Sequence, residues 1–304
     1  MSPSVSCVIP THARSDYLRI SLQSAVMQTL RPDEVIVVSD IADIEAADIC
    51  AAVALGCDVP IRYVESPAGR SGASSSRNIG AAAASSDFLA FLDDDDEWLD
   101  TYLHDALEAC AADPAADVVV TWIEMFSGDR TANGPAIPPG LAAHEVIAAN
   151  PGATGSNIVL RSSIFRALGG FDEQLPVKND TDFFYRLLAN GNGYVVNRSR
   201  SVRQRKHNQG QLTAKSEMRA VGVGMYIIKH RASLTPRQVN ALKFSIHRMR
   251  RHSAASGRGR AIHSLLALRY YSWAQFRDDR RNRNLQEFWN VSGFGGTASH
   301  NNAS

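Results

Sequence analysis

Short apolar segments alternate with longer segments of helical periodicity along most of the chain. The apolar segments predict β-strands at residues 4–9, 34–38, 61–64, 88–92 and 117–124. Strands separated by helices of ten or more residues are typical of parallel βαβ units. The pattern therefore predicts an α/β fold with a mostly parallel sheet that helices cover on both faces.

The intervening and later segments predict the remaining elements. Helices are expected at residues 44–55, 74–84, 99–111, 165–172 and 179–189, a Gly- and Pro-rich loop at 127–140, and a returning strand at 155–160. Helical patterning dominates from about residue 215 to residue 283. The last twenty residues contain few apolar anchors, so we expect residues 284–304 to be disordered.

Polar residues follow the first four predicted strands at their carboxyl ends. These segments are Pro10-Thr11-His12, Ser39-Asp40, Glu65-Ser66 and Asp93–Asp96. Ligands of open α/β sheets bind beyond the carboxyl ends of the strands, so we expect these residues to converge on one crevice.

The run Asp93-Asp94-Asp95-Asp96 is the most informative of these segments. Four adjacent carboxylates repel one another and need a compensating cation or strong solvation. Mg²⁺ and Mn²⁺ bind carboxylate oxygens, and Mg²⁺ commonly uses one or two carboxylates together with substrate phosphates. The run therefore predicts a divalent-metal site, and an acidic turn that caps the next helix is the alternative.

Charge is distributed unevenly along the chain, although the net charge is only +1. Residues 1–195 contain 11 Lys or Arg and 27 Asp or Glu, whereas residues 196–304 contain 21 and 4. The basic part is expected to meet an anionic partner or to dock on the acidic part. The four cysteines form no CxxC pair, and neither a leader peptide nor a membrane-length apolar segment is recognisable, so the sequence predicts a cytoplasmic protein with reduced thiols.

Several motifs together resemble the family 2 glycosyltransferases, which have a GT-A fold. They are the opening strand with Pro10-Thr11-His12-Ala13-Arg14, the segment Val35–Asp40, Arg77-Asn78-Ile79-Gly80, the run Leu92–Asp96, Gly169–Glu173, and Asn179–Asp182. The resemblance covers roughly residues 4–210 and implies an inverting transfer of a sugar from a nucleoside diphosphate sugar, UDP by default, to an acceptor hydroxyl. It divides the chain into a GT-A domain at 1–212, with nucleotide-sugar and acceptor halves at about 1–97 and 98–212, and a basic helical extension at 213–283.

The resemblance also implies a metal site that binds Mn²⁺ or Mg²⁺. Asp95 corresponds to the metal ligand of the DxD-type motif, with Asp93 or Asp94 near the ribose. Asp93 is a second candidate ligand. Four Asp in a row leave the frame of the motif open by one residue. His207 lies in a segment where relatives place a histidine over the metal or the diphosphate, and an incidental histidine is the alternative.

Nucleotide binding is expected at the ends of the first strands. The resemblance implies that Pro10, Thr11, His12 and Arg14 flank the nucleotide, and that Asp40 accepts a hydrogen bond from the base. A helix N-cap is the alternative for Asp40. Arg77 is expected to bind the nucleotide or its phosphates, since a guanidinium group can make two hydrogen bonds to one anion, and a surface salt bridge is its alternative.

The resemblance implies that Asp180 is the general base that removes the acceptor proton. Asn179 stands where relatives more usually have Glu, and Asp182 is the second candidate for the base. Both aspartates lie in the first turn of a predicted helix, where the helix dipole alone favours an acidic residue.

The basic region lies outside the resemblance. Its Lys and Arg residues, with Trp273 and Phe276, predict peripheral contact with an anionic membrane surface at its inner face or with a lipid-diphosphate acceptor, and a solvated face or an oligomer interface is the alternative. No nucleic-acid module is recognisable. The acceptor is expected to be a glycan, a lipid-linked glycan or a small molecule. A sugar nucleotidyltransferase and a catalytically silent sugar-nucleotide-binding or scaffold protein are the two alternative functions.

Overall fold

The computed structural model describes residues 3–113, 116–206, 216–273 and 277. The chain divides into two compact units. One consists of Met1–Met125 and Asn133–Arg205, and the other consists of Phe126–Ala132 and Lys206–Ser304. The predicted boundary at residue 212, His207 and the predicted tail at 284–304 lie outside the described residues.

Nine strands lie within the described residues. They are β1 (Val5–Thr11), β2 (Glu34–Ser39), β3 (Ile61–Glu65), β4 (Phe88–Phe91), β5 (Glu97–Trp98), β6 (Val118–Ser127), β7 (Arg130–Asn133), β8 (Ile158–Arg161) and β9 (Val195–Arg205).

Ten α-helices lie within the same described ranges. They are α1 (Ser15–Val26), α2 (Ile44–Ala54), α3 (Ala73–Ala83), α4 (Tyr102–Ala112), α5 (Ala143–Val146), α6 (Ser162–Ala167), α7 (Asn179–Ala189), α8 (Glu217–Lys229), α9 (Pro236–Ser253) and α10 (Gly257–Tyr270). A 3₁₀ turn at Gly155–Asn157 leads into β8.

The strands form one sheet in the order β3-β2-β1-β4-β8-β6-β9-β5, and β7 pairs with β6 off this path. The pairs β1–β2, β2–β3 and β1–β4 are parallel. The pairs β4–β8, β6–β8 and β5–β9 are antiparallel. The α/β fold predicted from the sequence is confirmed, and the sheet is parallel only in its N-terminal half.

The burial pattern explains why the strands in the N-terminal half of the sheet could be predicted from the sequence. Every residue of β1, β2 and β4 is buried, as expected of parallel strands covered on both faces. Beside β4, a cluster of aromatic rings with centroids 4.8–5.7 Å apart joins the sheet to the helices of the second half: Phe91, Phe165, Phe171 and Phe183. Four of these pairs are tilted and one, Phe91–Phe171, is edge-on, and all have centroid separations in the range that aromatic pairs favour.

The structure differs from the expected elements in the second half. The loop expected at 127–140 contains a hairpin, because β6 extends to Ser127 and β7 begins at Arg130. The strand expected at 155–160 begins as the 3₁₀ turn. The helix expected at 165–172 is instead α6, which begins at Ser162 and ends at Ala167. The long strand β9 was not predicted at all.

The second unit contains α8, α9 and α10. Each helix begins at a hydroxyl side chain that accepts a hydrogen bond from a backbone N–H one turn ahead: Ser216, Thr235 and Ser256. Glu217 at the start of α8 forms an ion pair with Arg250 of α9. None of the described helices is long and apolar enough to span a membrane.

Candidate functional site

The acidic run after β4 alternates between buried and accessible carboxylates. Asp94 and Asp96 are buried, whereas the side chains of Asp93 and Asp95 keep 30% and 13% of their surface exposed. The run makes a tight turn in which the Asp96 N–H donates to the Asp93 carbonyl at 3.1 Å. The odd-numbered and even-numbered aspartates of the run therefore differ in their access to solvent.

Asp94 fixes the end of β1 to the acidic run. Its Oδ2 accepts hydrogen bonds from Thr11 Oγ1 at 2.9 Å and from the His12 N–H at 3.3 Å. Its Oδ1 accepts from Arg14 Nη1 at 3.1 Å. Burial raises the pKa of Asp94 to about 6, although the Arg14 guanidinium opposes that rise. Thr11, His12 and Arg14 thus lie together against the acidic run, while their role toward a nucleotide stays a prediction.

Asp96 fixes the acidic run to the second half of the sheet. Its two carboxylate oxygens accept hydrogen bonds from Ser156 Oγ at 2.6 Å and from the Arg205 N–H at 3.0 Å. Ser156 Oγ also accepts from the Asp93 N–H at 3.1 Å. Burial raises the pKa of Asp96 well above its ordinary value, and the neighbouring charges of Asp95 and Asp93 add to the rise.

Sequence reasoning missed Ser156 and Arg205. Ser156 lies in the 3₁₀ turn, and a lone serine before a strand carries no distinguishing signal. Arg205 ends β9 in the basic segment before His207, and nothing in the local sequence distinguishes it from its basic neighbours. Its Nε donates to the Asp95 carbonyl at 3.0 Å, and its guanidinium lies 5.0 Å from the ring of Tyr17.

Arg77 lies buried at the centre of the crevice, between the two halves of the sheet. Its Nη2 forms an ion pair with Asp93, and its Nη1 lies 3.9 Å from Asp180 Oδ1. A Cβ at Gly155 would collide with the guanidinium group, so a larger residue there would require the Arg77 side chain to move. The Nε and Nη1 atoms of Arg77 are buried without a hydrogen-bond partner, which is costly unless something else supplies an acceptor. Burial by itself lowers the pKa of Arg77, but Asp93 and Asp180 outweigh it and raise the pKa.

Asp180 lies in the first turn of α7. Its Oδ1 is buried without a hydrogen-bond partner, while 26% of the side-chain surface remains exposed. Burial raises the pKa of Asp180 to about 6; Arg77 opposes the rise, and Asp93 adds to it. A carboxyl group with such a pKa is ionised at neutral pH and is a stronger base than an ordinary aspartate.

The residues before Asp180 hold it in place. Asn179 Nδ2 donates to Ser74 Oγ at 2.9 Å, which ties the start of α7 to the start of α3. Asn179 Oδ1 accepts from the Asp180 N–H at 2.9 Å. Lys178 has a φ of 61°, in the left-handed region that non-glycine residues rarely adopt. Such conformations are concentrated at functional sites.

Asp182 has a different environment from Asp180. Its side chain is fully buried, and its Oδ2 accepts from Arg186 Nε at 2.8 Å, one turn along α7. Arg186 also donates to the carbonyls of Leu168 and Gly170. Asp182 is thus part of a buried network that anchors α7.

Asp40 follows β2 and faces His12. Its Oδ1 lies 2.5 Å from His12 Nδ1, and its Oδ2 accepts from the Gly72 N–H at 2.7 Å. The N-cap of α2 is Asp43, whose Oδ1 accepts from the Ala46 N–H at 3.0 Å. The alternative of Asp40 as a helix cap is therefore wrong. Pro10 precedes this site as a buried residue of β1, paired in register with Val38.

The accessible carboxylates of the crevice can hold a divalent cation only if a bound ligand, such as a diphosphate, supplies further oxygen atoms. Within the described residues, no three His, Cys, Asp or Glu side chains are grouped as a metal site. Asp93 and Asp95 are two carboxylates that remain accessible, and each already has a guanidinium partner, Arg77 and Arg14. Two carboxylates together with diphosphate oxygens are a common Mg²⁺ environment.

The fold and the acidic crevice define a protein of the GT-A class. The chain shares 17% identity with Staphylococcus aureus TarS 1–349, crystallised in complex with UDP-GlcNAc, at a TM-score of 0.61 over 84% of this chain and 74% of that one. A second crystal structure of TarS 1–349 gives a TM-score of 0.58 at 16% identity, over 94% of this chain and 91% of that one.

Sequence comparison gives the family. The family model described as Glycosyl transferase family 2 matches residues 6–169, more than half of the chain. The chain belongs to this family. It is 30% identical over 206 residues to the pre-mycofactocin glycosyltransferase of Mycobacterium tuberculosis, over 62% of this chain and 39% of that protein. It is 26% identical over 187 residues to an uncharacterised glycosyltransferase of Haemophilus influenzae, over 60% and 62%. The chain thus spans less than two thirds of the length of either relative.

Proposed function

We propose that this protein transfers a sugar from a nucleoside diphosphate sugar to an acceptor hydroxyl, with inversion at the anomeric carbon. The observation that carries the proposal is the group formed by Arg77, Asp93 and Asp180. It combines a partly accessible carboxyl group of raised pKa with a buried guanidinium group, two of whose nitrogen atoms, Nε and Nη1, lack hydrogen-bond partners. Family membership supports the reaction class.

Asp180 is the proposed general base. Its carboxylate takes the proton of the acceptor hydroxyl as the acceptor oxygen attacks the anomeric carbon. The bond between that carbon and the phosphate oxygen breaks, and its electron pair leaves with the nucleoside diphosphate. Inversion requires the base to face the side opposite the leaving group. The exposed fraction of Asp180 favours it over Asp182, which is fully buried and paired with Arg186.

Asp93 and Asp95 are the proposed ligands of a divalent metal, Mn²⁺ or Mg²⁺. When bound, the metal would act as a Lewis acid that stabilises the negative charge of the leaving diphosphate. The buried anchoring of Asp94 and Asp96 supports this frame, since it leaves Asp93 and Asp95 as the accessible pair of a D-x-D arrangement. Arg77 is placed to add positive charge beside the phosphates. A role for His207 stays a prediction.

The nucleotide is proposed to lie along the ends of β1 and β2. Thr11 and His12 are held there by Asp94, and Asp40 is held by the Gly72 N–H. A UDP-sugar is favoured as donor, and the UDP-GlcNAc complex of the structurally similar TarS supports that preference. The acceptor is proposed to be a glycan, a lipid-linked glycan or a small molecule.

The first test measures donor binding apart from turnover. Thermal unfolding is followed with UDP-, dTDP- and GDP-sugars, each with and without Mn²⁺ or Mg²⁺, since a ligand that binds only the folded state raises its stability. Stabilisation by one nucleotide class that depends on the metal would support the donor and metal assignments. Stabilisation by none of them would favour a scaffold protein that binds no nucleotide sugar.

The second test measures the stereochemistry. With the donor identified, ¹H NMR of the initial product reports the anomeric configuration, which should be opposite to that of the donor. Retention of configuration would contradict the assignment of Asp180 as a base in a single displacement.

A further inference from the structure

The described helices of the second unit carry a strongly one-sided charge. Residues 218–277 contain twelve Lys or Arg and no Asp or Glu. Glu217, at the N-terminus of α8, precedes this segment and is paired with Arg250. A surface with this composition attracts anionic partners and repels cationic ones.

One face of α10 combines this charge with exposed apolar side chains. Leu265 and Leu268 keep 69% and 67% of their surface exposed, and Ile262 lies one turn before Leu265 on the same side. Residues three apart on a helix are surface neighbours. Arg258 and Arg269 lie on that side as well and are also exposed. The exposed face of α10 is therefore a mixture of aliphatic and guanidinium groups.

The opposite side of α10 packs inside the unit. Ala267 is buried, the His263 ring stacks on His247 of α9 at 5.4 Å, and the Tyr270 ring lies parallel to the His247 ring at 5.7 Å. The aliphatic residues of the exposed face are thus not the ones that join α10 to α9. The packing of α10 on α9 therefore does not account for the presence of these aliphatic residues.

An exposed aromatic residue follows α10 along the chain. Trp273 is largely exposed, three residues after Tyr270. Trp is enriched where a protein surface meets lipid headgroups, because its ring is apolar and its N–H is polar. Leucines, arginines and an exposed tryptophan are together the composition of helices that lie in a membrane interface.

We propose that the exposed face of α10, formed by Arg258, Ile262, Leu265, Leu268 and Arg269, docks together with the following Trp273 on a bilayer surface that contains anionic lipid. The aliphatic side chains and the Trp273 ring enter the headgroup region, while the guanidinium groups bind lipid phosphates. Lack of any acidic residue in 218–277 favours a lipid surface over a second copy of this unit, because two such faces would repel each other. This inference does not depend on the proposed sugar transfer.

The test is co-sedimentation of the full chain with vesicles of phosphatidylglycerol and phosphatidylcholine, compared with pure phosphatidylcholine. Binding is expected only to the anionic vesicles, and it should weaken as salt is raised. On those vesicles, Trp fluorescence should shift to the blue, and Trp273→Phe should abolish most of that shift.

Three variants separate the contributions. Leu265→Gln with Leu268→Gln, and separately Arg258→Gln with Arg269→Gln, should each lower the vesicle partition coefficient at least about tenfold. The matched control is Ile44→Gln with Leu55→Gln in the first unit, two aliphatic residues that are 79% and 91% exposed. The control should bind vesicles as the wild type does.

Three results would overturn the proposal. One is equal binding to neutral and anionic vesicles, and another is binding that the α10 variants leave unchanged. The third is a wild-type chain that ignores vesicles but forms a dimer in light scattering that the leucine variant dissociates, which would make the face an interface between copies. Circular dichroism of each variant distinguishes these results from loss of folding.

Discussion

The two halves of the sheet bring residues to the crevice in different ways. In the parallel half, β1, β2 and β4 each deliver site residues directly at the carboxyl end of the strand: Thr11, Asp40 and Asp93. In the antiparallel half, the site residues come from a 3₁₀ turn, the first turn of α7 and the far end of β9: Ser156, Asp180 and Arg205. Strand geometry positions the first set. Hydrogen bonds between residues that are far apart in the sequence position the second.

This difference shows where the crevice depends on single side chains. Parallel strands end at one edge by construction, so the first set converges whatever the side chains are. Three residues connect the second set to the first. Arg77 lies between Asp93 and Asp180, Ser156 joins Asp93 to Asp96, and Arg205 bonds Asp95 and Asp96. Substitutions at these joints should therefore have effects larger than those of exposed residues.

The largest expected effect is on turnover by Asp180→Asn. Removal of a general base typically lowers the rate by 10²- to 10⁴-fold. Donor affinity should change little, because the amide has the shape of the carboxylate and the donor is proposed to lie along the parallel half. Steady-state kinetics and calorimetric titration of the donor measure the two quantities. Equal losses of turnover and donor affinity would mean that Asp180 also contributes to donor binding, and that donor binding is not confined to the parallel half of the sheet.

The next largest effect is on stability by Arg77→Gln. The substitution leaves Asp93 and Asp180 without their shared cation, and breaking a buried ion pair costs roughly 3–5 kcal/mol. Both carboxylates are partly exposed, so we expect a loss of about 3 kcal/mol of unfolding free energy in urea. Arg77→Lys keeps the charge and is the control, with a smaller loss. An unchanged free energy in Arg77→Gln would show that Arg77 does not hold the halves together.

The acidic run itself separates function from stability. Asp95→Asn should lower the metal-dependent rate by about 10²-fold, as loss of an electrostatic stabiliser does, with a change in unfolding free energy of less than about 1 kcal/mol. Asp96→Asn should cost about 2 kcal/mol of stability, because an amide cannot accept hydrogen bonds at both positions as the buried carboxylate does. Normal activity in Asp95→Asn would refute its assignment as a metal ligand.

The raised pKa of Asp180 gives a pH prediction in both activity and stability. The base is active when ionised, so log kcat should rise by about one per pH unit below pH 6 and level off above it. The folded state keeps its proton up to about pH 6, while the ordinary value is 3.8. Between those values the unfolded state binds fewer protons, so the unfolding free energy should fall as pH rises.

Asp180→Asn is the control for the pH dependence of stability. The substitution should remove the contribution of Asp180 to the pH dependence of the unfolding free energy. The contribution of Asp94, whose pKa is also raised to about 6, should remain. Urea unfolding at pH 4, 5, 6 and 7 measures the slope. A slope identical to that of the wild type would mean that Asp180 titrates near its ordinary value.

The parallel half was predictable from the sequence because burial on both faces leaves a continuous apolar run. The segments Val35–Val38 and Phe88–Phe91 are such runs, and the polar residues after them mark the crevice. The resemblance to family 2 then singled out Asp180 and Arg77. Both lie in the crevice 3.9 Å apart, although their roles there remain proposals.

The antiparallel half was less predictable for physical reasons. β9 reads Val-Val-Asn-Arg-Ser-Arg-Ser-Val-Arg-Gln-Arg, and only two of its residues are buried, so neither an apolar run nor a clear alternation marks it as a strand. Which carboxylates of Asp93–Asp96 are buried and which are accessible depends on partners up to 110 positions away in the sequence, such as Arg205. No local pattern can reveal such partners.

The smallest expected effect concerns the left-handed residues beside the crevice. The parallel half has Ala13 at a φ of 47°, between His12 and Arg14, and the antiparallel half has Lys178 at 61°, directly before Asn179 and Asp180. Glycine adopts this conformation without the clash that a Cβ causes, so Lys178→Gly should be more stable than Lys178→Ala by about 1 kcal/mol. The alanine variant is the matched control, because both substitutions remove the lysine side chain and only alanine keeps the Cβ. Urea unfolding measures the difference, and equal stabilities would show that this turn stores no strain beside the base.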